Sequence, residues 1–335
     1  MVLSEGSREI FLSRLQHTAV RSGTYLVMPN AVKPAFLIPT EKRKIFKQAI
    51  DLIKPISRKG ELKKRLIKAL PLWVLKMVFP TLKIENPNAG SRHAVILPWN
   101  QNVTSKITII VFDQELSNVE VEKYAFSEDT RHMVNNERSY LTRLKSDPES
   151  KIVVPEVKNF VEHQDYVCLI QDFYFGNYVE NLTSNLYTFF DKLNSTDIHC
   201  LSEHPYILNK MPIIQDKLAD FECDTLLTEM TKLFDQYKRT RFQVATMHSD
   251  FSTTNTVHTE DDKFVIIDWE DAEDDGINID IPFFKFRRQL YDKGWWEINN
   301  AEGFLVVFHY IWFMVNKGNS EMLQKFRIDK GVFSS

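Results

Sequence analysis

A short segment around residue 250 contains most of the side chains in this chain that could perform chemistry. It reads His248-x-Asp250-x-x-x-x-Asn255, followed by the strand-like run Phe264–Ile267 and then Asp268. A loop that presents Asp250 and Asn255, followed closely by a strand that ends at Asp268, collects oxygen ligands in one place. Asn255 and Asp268 are hard ligands suited to Mg²⁺, which shares its coordination sphere with substrate phosphates. Asp250 can accept the proton of an attacking hydroxyl, so the pattern predicts phosphoryl transfer from ATP.

The same segment resembles a known family. H-x-D-x-x-x-x-N followed by I-I-D-W-E is similar to the aminoglycoside phosphotransferase and choline kinase group, within the protein-kinase-like fold. That group has H-G-D-x-x-x-x-N and then I-D-W/F-E/D. The resemblance implies that Asp250 is the catalytic base, that Asn255 and Asp268 hold Mg²⁺, and that His248 braces the loop. It also implies that Asp280 opens a helix and supports the loop.

The resemblance implies a nucleotide-binding part upstream of this segment. Lys123, in the strand-like run Val119–Phe126, matches the lysine that reaches the α- and β-phosphates of ATP. Glu137, in the next predicted helix, matches the glutamate that pairs with that lysine. The segment Leu169–Phe173, which includes Gln171, would bond the adenine through its backbone.

Two positions depart from the family pattern. The loop Trp99–Ser105 would cover the phosphates, yet it has no glycine. Asn100 and Asn102 are the residues expected to turn this loop and donate hydrogen bonds to the nucleotide. Ser249 stands where the group usually has glycine or arginine. We therefore expect the phosphates to be held mainly by Lys123 and the metal ion.

Patterns of hydrophobicity divide the chain into three parts. Residues 1–80 are predicted to form an N-terminal extension with a hairpin and basic amphipathic helices. Runs of β-branched residues within 81–175 predict a β-rich lobe, and the helical patterns within 176–335 predict an α-rich lobe with the catalytic loop. The predicted fold class is α+β. The resemblance makes it a two-lobed protein-kinase-like fold.

Composition excludes several classes of protein. The chain has 335 residues, of which 43% are hydrophobic, and this content excludes a mainly disordered chain. It contains neither G-x-G-x-x-G nor G-x-x-x-x-G-K-[ST]. Its three cysteines are far apart in the sequence, which predicts free thiols in a reducing compartment. Neither a signal peptide nor an apolar run of about 18 residues is found, so a cytoplasmic location is predicted.

Charge is unevenly distributed along the chain. Residues 41–69 carry 11 Lys/Arg against 3 Asp/Glu, whereas residues 260–280 carry 10 acidic residues and one lysine. The acidic stretch argues against nucleic acid as a partner. It could form a pocket for a cationic substrate, but metal ligands plus a solvated acidic loop are the favoured interpretation. Residues 41–80 could make peripheral contact with an anionic membrane, or could be a solvated helix face that packs on the kinase lobe.

These observations predict a phosphotransferase that uses ATP and Mg²⁺ and transfers the γ-phosphoryl group to a hydroxyl of a small molecule or sugar. A protein acceptor is less favoured, because no A-P-E motif follows Asp268. The alternative is a catalytically weak pseudokinase that binds nucleotide and acts as an adaptor.

Overall fold

The computed structural model describes residues 5–28, 36–53, 55, 58–86, 92–97, 106–293, 298–327 and 332–333. The predicted phosphate loop 99–105, with Asn100 and Asn102, lies outside these residues. The chain divides into two units. Unit 1 comprises Met1–Ser146, Val153–Tyr178 and Val257–Glu270, and unit 2 comprises Asp147–Ile152, Val179–Thr256 and Asp271–Ser335.

The helices, in chain order, are α1 (Glu5–Leu15), α2 (Arg43–Leu52), α3 (Arg58–Ala69), α4 (Leu72–Val78), α5 (Glu128–Arg143), α6 (Ser184–Asp191), α7 (Pro205–Asp220), α8 (Asp224–Tyr237), α9 (Asp280–Lys293), α10 (Ala301–Asn316) and α11 (Ser320–Lys325). The strands are β1 (Gly23–Met28), β2 (Phe36–Pro39), β3 (Thr81–Ile84), β4 (His93–Leu97), β5 (Lys106–Phe112), β6 (Val119–Ala125), β7 (Ile152–Val153), β8 (Val157–Glu162), β9 (Val167–Asp172), β10 (Gly176–Tyr178), β11 (Asn194–Cys200), β12 (Arg241–Met247), β13 (Thr256–Thr259), β14 (Phe264–Ile266), β15 (Glu273–Ile277), β16 (Phe326–Arg327) and β17 (Val332–Phe333). Among the described residues, no helix is long and apolar enough to cross a membrane.

Unit 1 is built around an eight-stranded antiparallel sheet with the strand order β3-β1-β2-β4-β5-β6-β9-β8. The hairpin β1–β2 therefore belongs to the same sheet as the strands of residues 93–172. Lys123 of β6 lies opposite Thr108 of β5 on one side and Leu169 of β9 on the other. Lys123 is thus held in an inner strand, whose backbone is bonded on both edges.

Both faces of the inner part of this sheet are covered, which explains why strand β5 is apolar almost throughout. In β5, Ile107, Ile109 and Val111 belong to one buried cluster, whereas Ile110 and Phe112 belong to another. Side chains of α1 join the first cluster, and side chains of α2 and α4 join the second. Successive side chains of a strand point to opposite faces, so a continuous apolar run is expected where helices cover both.

Unit 2 is mainly helical around one core. Side chains of α7, α8 and α10 form most of this core, together with residues of β12 and β15. The strand order β11-β12-β15 defines a three-stranded sheet in this unit. Nearly every residue from Ala301 to Ile311 in α10 is buried. A helix that is apolar on all sides is expected in the centre of a core.

The predicted α+β class is confirmed. The helical spacing of apolar residues predicts helices over 131–145 and 213–223. The first is found as α5, but the second begins eight residues earlier, at Pro205. The reason is local, because Pro205 occupies the first turn and Nδ1 of His204 accepts a hydrogen bond from the N–H of Tyr206. Strand β8 was not predicted, since its side chains are exposed or only half-buried and lack an apolar pattern.

Candidate functional site

Lys123 lies at the centre of a buried ion cluster in unit 1. Its Nζ is 2.8 and 2.6 Å from the two carboxylate oxygens of Glu137, and 2.6 Å from Oδ1 of Asp268. Burial alone would lower the pKa of Lys123, but the carboxylates of Asp268 and Glu137 outweigh burial and raise that pKa, so the ammonium stays charged. The structure therefore brings together three predicted residues that are distant in the sequence.

Helix α5 places Glu137 in this cluster. The helix begins with a capping box, in which the side chains of Ser127 and Thr130 each accept a hydrogen bond from the other residue's backbone N–H. Glu137 is completely buried and is three or four residues from other buried positions of the helix, namely Val134, Tyr140 and Leu141. Helical spacing thus puts a carboxylate on the apolar face, where its charge is tolerated because Lys123 compensates it.

The turn that carries Asp268 is attached to the same helix. Asp268 has a left-handed backbone (φ 68°) directly after β14. The next residue, Trp269, is fully buried, stacks on Tyr140 of α5, and donates from its indole nitrogen to the last carbonyl of β14 at 3.0 Å. The side-chain amide of Asn136 in α5 donates to the carbonyl of Glu270 at 3.0 Å. These contacts hold Asp268 beside Lys123 although its backbone conformation is unfavourable for aspartate.

Two further charged residues, Lys106 and Glu270, complete the cluster and were missed by sequence reasoning. Nζ of Lys106 contacts Oε2 of Glu270, and both side chains are buried. Burial, reinforced by the negative charge of Asp268, raises the pKa of Glu270 to about 7. Carboxylate oxygens of Glu137, Asp268 and Glu270 lie within 4.8 Å of one another. With Lys123 included, three carboxylates face two ammonium groups, so the fully ionised cluster has a net charge of −1 and attracts a cation.

The loop His248–Asn255 lies in unit 2, where Asp280 supports it. Both carboxylate oxygens of Asp280 accept backbone hydrogen bonds, from the N–H of His248 at 2.8 Å and from the N–H of Ser249 at 3.1 Å. Burial raises the pKa of Asp280 to about 6, while His248 and the two N–H donors oppose this shift. Nδ1 of the fully buried His248 accepts from the N–H of Asp250 at 3.3 Å. Asp280 and His248 thus both accept hydrogen bonds from the backbone of the loop that carries Asp250.

Asp250 is surrounded by polar partners of unit 2. The side-chain amide nitrogen of Asn255 donates to the backbone carbonyl of Asp250 at 2.9 Å and to Oδ2 of Asp250 at 3.1 Å. Nη1 of Arg287, from α9, contacts Oδ1 of Asp250. Arg287 was not predicted, because it lies 37 residues further along the chain and its sequence context has no recognisable motif. The structure therefore adds a positive charge beside the proposed base.

A buried relay supports Ser249 from the other side of the loop. Ser249 has a left-handed backbone (φ 69°), a conformation that glycine adopts at no steric cost but that serine rarely adopts. Its carbonyl accepts from Nε2 of His309 at 2.7 Å, and Nδ1 of His309 is 2.5 Å from the hydroxyl of Tyr206. Since a carbonyl can only accept, Nε2 carries the proton and Nδ1 accepts from Tyr206. Burial lowers the pKa of His309 to about 4, so this neutral tautomer persists at neutral pH.

Several members of the acidic stretch are already neutralised within their own unit. In unit 2, Glu273 pairs with Lys210 at 2.7 Å and Asp271 pairs with Lys317 at 3.3 Å. The hydroxyl of Ser249 also donates to Glu273 at 3.2 Å. Lysines of the same unit therefore compensate the charges of Asp271 and Glu273.

The predicted adenine segment lies in unit 1. Gln171 is buried in β9, and its Oε1 has no hydrogen-bond partner among the described residues. The backbone of residues 169–172 belongs to β9, which is paired with β6 and β8. For residues 173–175, which follow the strand, no backbone hydrogen bond is found within the described part of the chain. Backbone groups that a nucleobase could use are therefore located after β9.

The chain matches no family model and no curated protein. Among solved structures it is similar to an aminoglycoside-3'-phosphotransferase of type VIII, with a TM-score of 0.45 and 13% identity over 68% of this chain and 94% of that one. It is also similar to a spectinomycin phosphotransferase in complex with ADP and spectinomycin, with a TM-score of 0.37 and 14% identity over 64% and 78% of the two chains. A third similar structure is the GDP complex of an aminoglycoside 2'-phosphotransferase of type IIIa, with a TM-score of 0.42 and 15% identity over 64% of this chain and 83% of that one. All three of these solved structures are antibiotic phosphotransferases.

Proposed function

We propose that this chain is an ATP- and Mg²⁺-dependent phosphotransferase that transfers the γ-phosphoryl group to a hydroxyl of a small molecule or sugar. The observation that supports this most is the Lys123–Glu137 ion pair beside Asp268 in unit 1. A buried ammonium that one carboxylate positions can hold phosphate oxygens, while the other carboxylate is available to a metal ion.

The residues proposed for Mg²⁺ offer suitable donors. Asp268 belongs to a carboxylate cluster with an excess of negative charge, and oxygen ligands are those that Mg²⁺ prefers. The amide nitrogen of Asn255 is committed to Asp250, which leaves the amide oxygen of Asn255 as the ligand atom. When bound, the ion would neutralise charge on the phosphates.

Asp250 is proposed to accept the proton of the acceptor hydroxyl. Its side chain is oriented by Asn255, and its loop is held by Asp280 and His248. For the adenine we propose the unbonded backbone of residues 173–175, next to the buried Gln171. Asn100 and Asn102 remain proposed donors to the phosphates.

Arg287 supports a narrower proposal about the acceptor. Its side chain is about one-third exposed (34%), and among the described residues it contacts Asp250 through Nη1. A guanidinium fork of this kind suits a carboxylate or phosphate group. We therefore propose an acceptor that carries an anionic group near the reacting hydroxyl. Replacing Arg287 with Met should raise the KM for such an acceptor, whereas Arg288→Met, at the next position of α9, should not.

The decisive experiment measures ATP consumption and nucleotide binding by the purified chain with Mg²⁺ and a panel of sugars, amines and acidic hydroxyl compounds. Asp250→Asn should lower turnover by roughly 10²–10⁴-fold, because a general base contributes about that much, while nucleotide binding is retained. Asp216→Asn, an exposed aspartate of α7, is the matched control and should remain active.

Nucleotide binding without turnover that depends on Asp250 would contradict the enzyme proposal and support the pseudokinase alternative. Turnover that is restricted to cationic acceptors would contradict only the role proposed for Arg287.

A further inference from the structure

Helices α3 and α4 carry apolar side chains that face solvent. The large side chains of this set are mostly exposed: Leu62 (70%), Leu66 (59%), Trp73 (66%), Met77 (78%) and Val78 (65%). We call these five residues the outer face. The opposite sides of the same helices are packed, since Leu75 is fully buried and Ile67, Leu70 and Leu72 contact the cluster formed with α2. Both helices therefore have two apolar sides, and within the described part of unit 1 the inner one is packed while the outer one is exposed.

Basic residues of these helices fall into two groups. Lys64 and Lys68 fasten α3 to α2, because their Nζ atoms lie 2.7 Å from the carbonyl of Ile53 and 2.5 Å from Oδ1 of Asp51. The second group is exposed and consists of Lys59, Lys63, Arg65 and Lys76. Arg65 has a partner in Glu61 at 3.5 Å, but both side chains are exposed and such a pair is weak. Positive charge thus surrounds the outer face.

We propose that the outer face of α3 and α4 binds the surface of an anionic membrane, with the two helices lying in the interface. An exposed tryptophan next to aliphatic side chains and lysines is the combination that enters the boundary between headgroups and acyl chains. The lysine ammonium groups remain at the headgroups while their methylene chains cover apolar surface. A second copy of this chain would bring the same positive charges together, so charge complementarity favours anionic lipid.

This proposal is independent of the phosphotransferase reaction, and it narrows the region predicted for membrane contact. Helix α2 is excluded from the contact, because Ile45, Phe46, Ala49 and Ile50 are buried in the unit. The contact is peripheral.

The test is sedimentation of the full chain with lipid vesicles. Vesicles of phosphatidylcholine with about 30 mol% phosphatidylglycerol should bind the protein, and pure phosphatidylcholine vesicles should not, since each exposed Lys or Arg near an anionic surface contributes about 1 kcal/mol. Added salt should weaken the binding. Replacing Lys59 and Lys63 with Ser should lower the partition coefficient by about 25-fold, which corresponds to about fivefold for each lysine near an anionic surface.

Apolar contacts are tested by replacing Trp73 and Met77 with Ser, which should abolish sedimentation without unfolding the chain, because both side chains are exposed. The matched control replaces Leu208 and Ile213 of α7 (56% and 45% exposed) with Ser as well, and this variant should bind the vesicles like the wild type. Circular dichroism verifies folding of each variant.

Three results would overturn the proposal. The first is no binding to anionic vesicles, and the second is binding that the Trp73 and Met77 substitutions leave intact. The third is self-association that these substitutions abolish, measured by sedimentation velocity without lipid, because a second copy would then cover the outer face.

Discussion

Replacing Asp280 with Asn tests how the loop that carries Asp250 is held. In the folded chain, the two carboxylate oxygens of Asp280 accept from the N–H groups of His248 and Ser249. An asparagine amide keeps one acceptor oxygen and turns its NH₂ group toward the other N–H. One buried donor then loses its partner, which costs about 1–3 kcal/mol.

The pH dependence of stability separates this cost from the effect of charge. Burial raises the pKa of Asp280 from its ordinary value of 3.8 to about 6. Because the folded pKa is above the unfolded one, the contribution of Asp280 to stability is fully present below pH 3.8 and is lost as the pH rises through 6. The separation of the two pKa values corresponds to about 3 kcal/mol, at 1.36 kcal/mol per pH unit. The asparagine of Asp280→Asn cannot ionise, so the free energy of unfolding of this variant does not fall by this amount as the pH rises.

Urea unfolding followed by circular dichroism, from about pH 4 to about pH 8, measures both effects. The variant should be less stable than wild type at the acidic end, and the difference should shift by about 3 kcal/mol in favour of the variant at the alkaline end. Asp216→Asn, at an exposed position, should show no such shift. A stability difference between Asp280→Asn and wild type that stays constant with pH would refute the assignment of a buried, costly charge to Asp280.

Substitutions at three further sites test the supports of the site, each by urea unfolding. Tyr206→Phe leaves Nδ1 of His309 buried without a donor and should cost about 1–3 kcal/mol, so unchanged stability would contradict the relay. Ser249→Gly relieves a left-handed backbone but loses the hydrogen bond of the hydroxyl to Glu273, and these two effects of about 1 kcal/mol each should nearly cancel. Ser249→Ala loses the same hydrogen bond without relieving the backbone, so its free energy of unfolding should fall by about 1 kcal/mol. Equal losses of stability in the two variants would argue against backbone strain at Ser249. Lys106→Met leaves the carboxylate of Glu270 buried without its partner and should lower the free energy of unfolding by about 3 kcal/mol. The additional change Glu270→Gln should restore most of this stability. No recovery of stability in the double variant would argue against the ion pair.

Local patterns in the sequence were sufficient to predict many elements. The hairpin β1–β2 and helix α5 were predicted because apolar runs separated by turn signals, and helical spacing, are properties of neighbouring residues. The existence of β8 was not predicted, because its pairing with β9 decides it. The first residue of α7 was missed although its signals, Pro205 and the cap at His204, are local.

The sequence motifs identified residues that the structure brings together, yet they did not identify the partners of those residues. Lys123 and Glu137 were predicted from a resemblance and lie within hydrogen-bond distance. Lys106, which pairs with a residue 164 positions away, carried no sequence signal of its own. Arg287 is comparable, since only the path of α9 brings it to Asp250.

The sequence by itself determined the α+β class and the order in which the chemical groups occur along the chain, because hydrophobic periodicity and motif spacing are encoded in consecutive residues. Only the tertiary structure decided which charges are compensated. Burial in unit 1 places two lysines among three carboxylates, and burial in unit 2 places Asp280 and His309 around Ser249. It also decided which apolar residues stay outside, since the outer face of α3 and α4 is as apolar as the inner side that the fold buries. The physical reason is that desolvation and ion pairing depend on distances between residues far apart in the sequence.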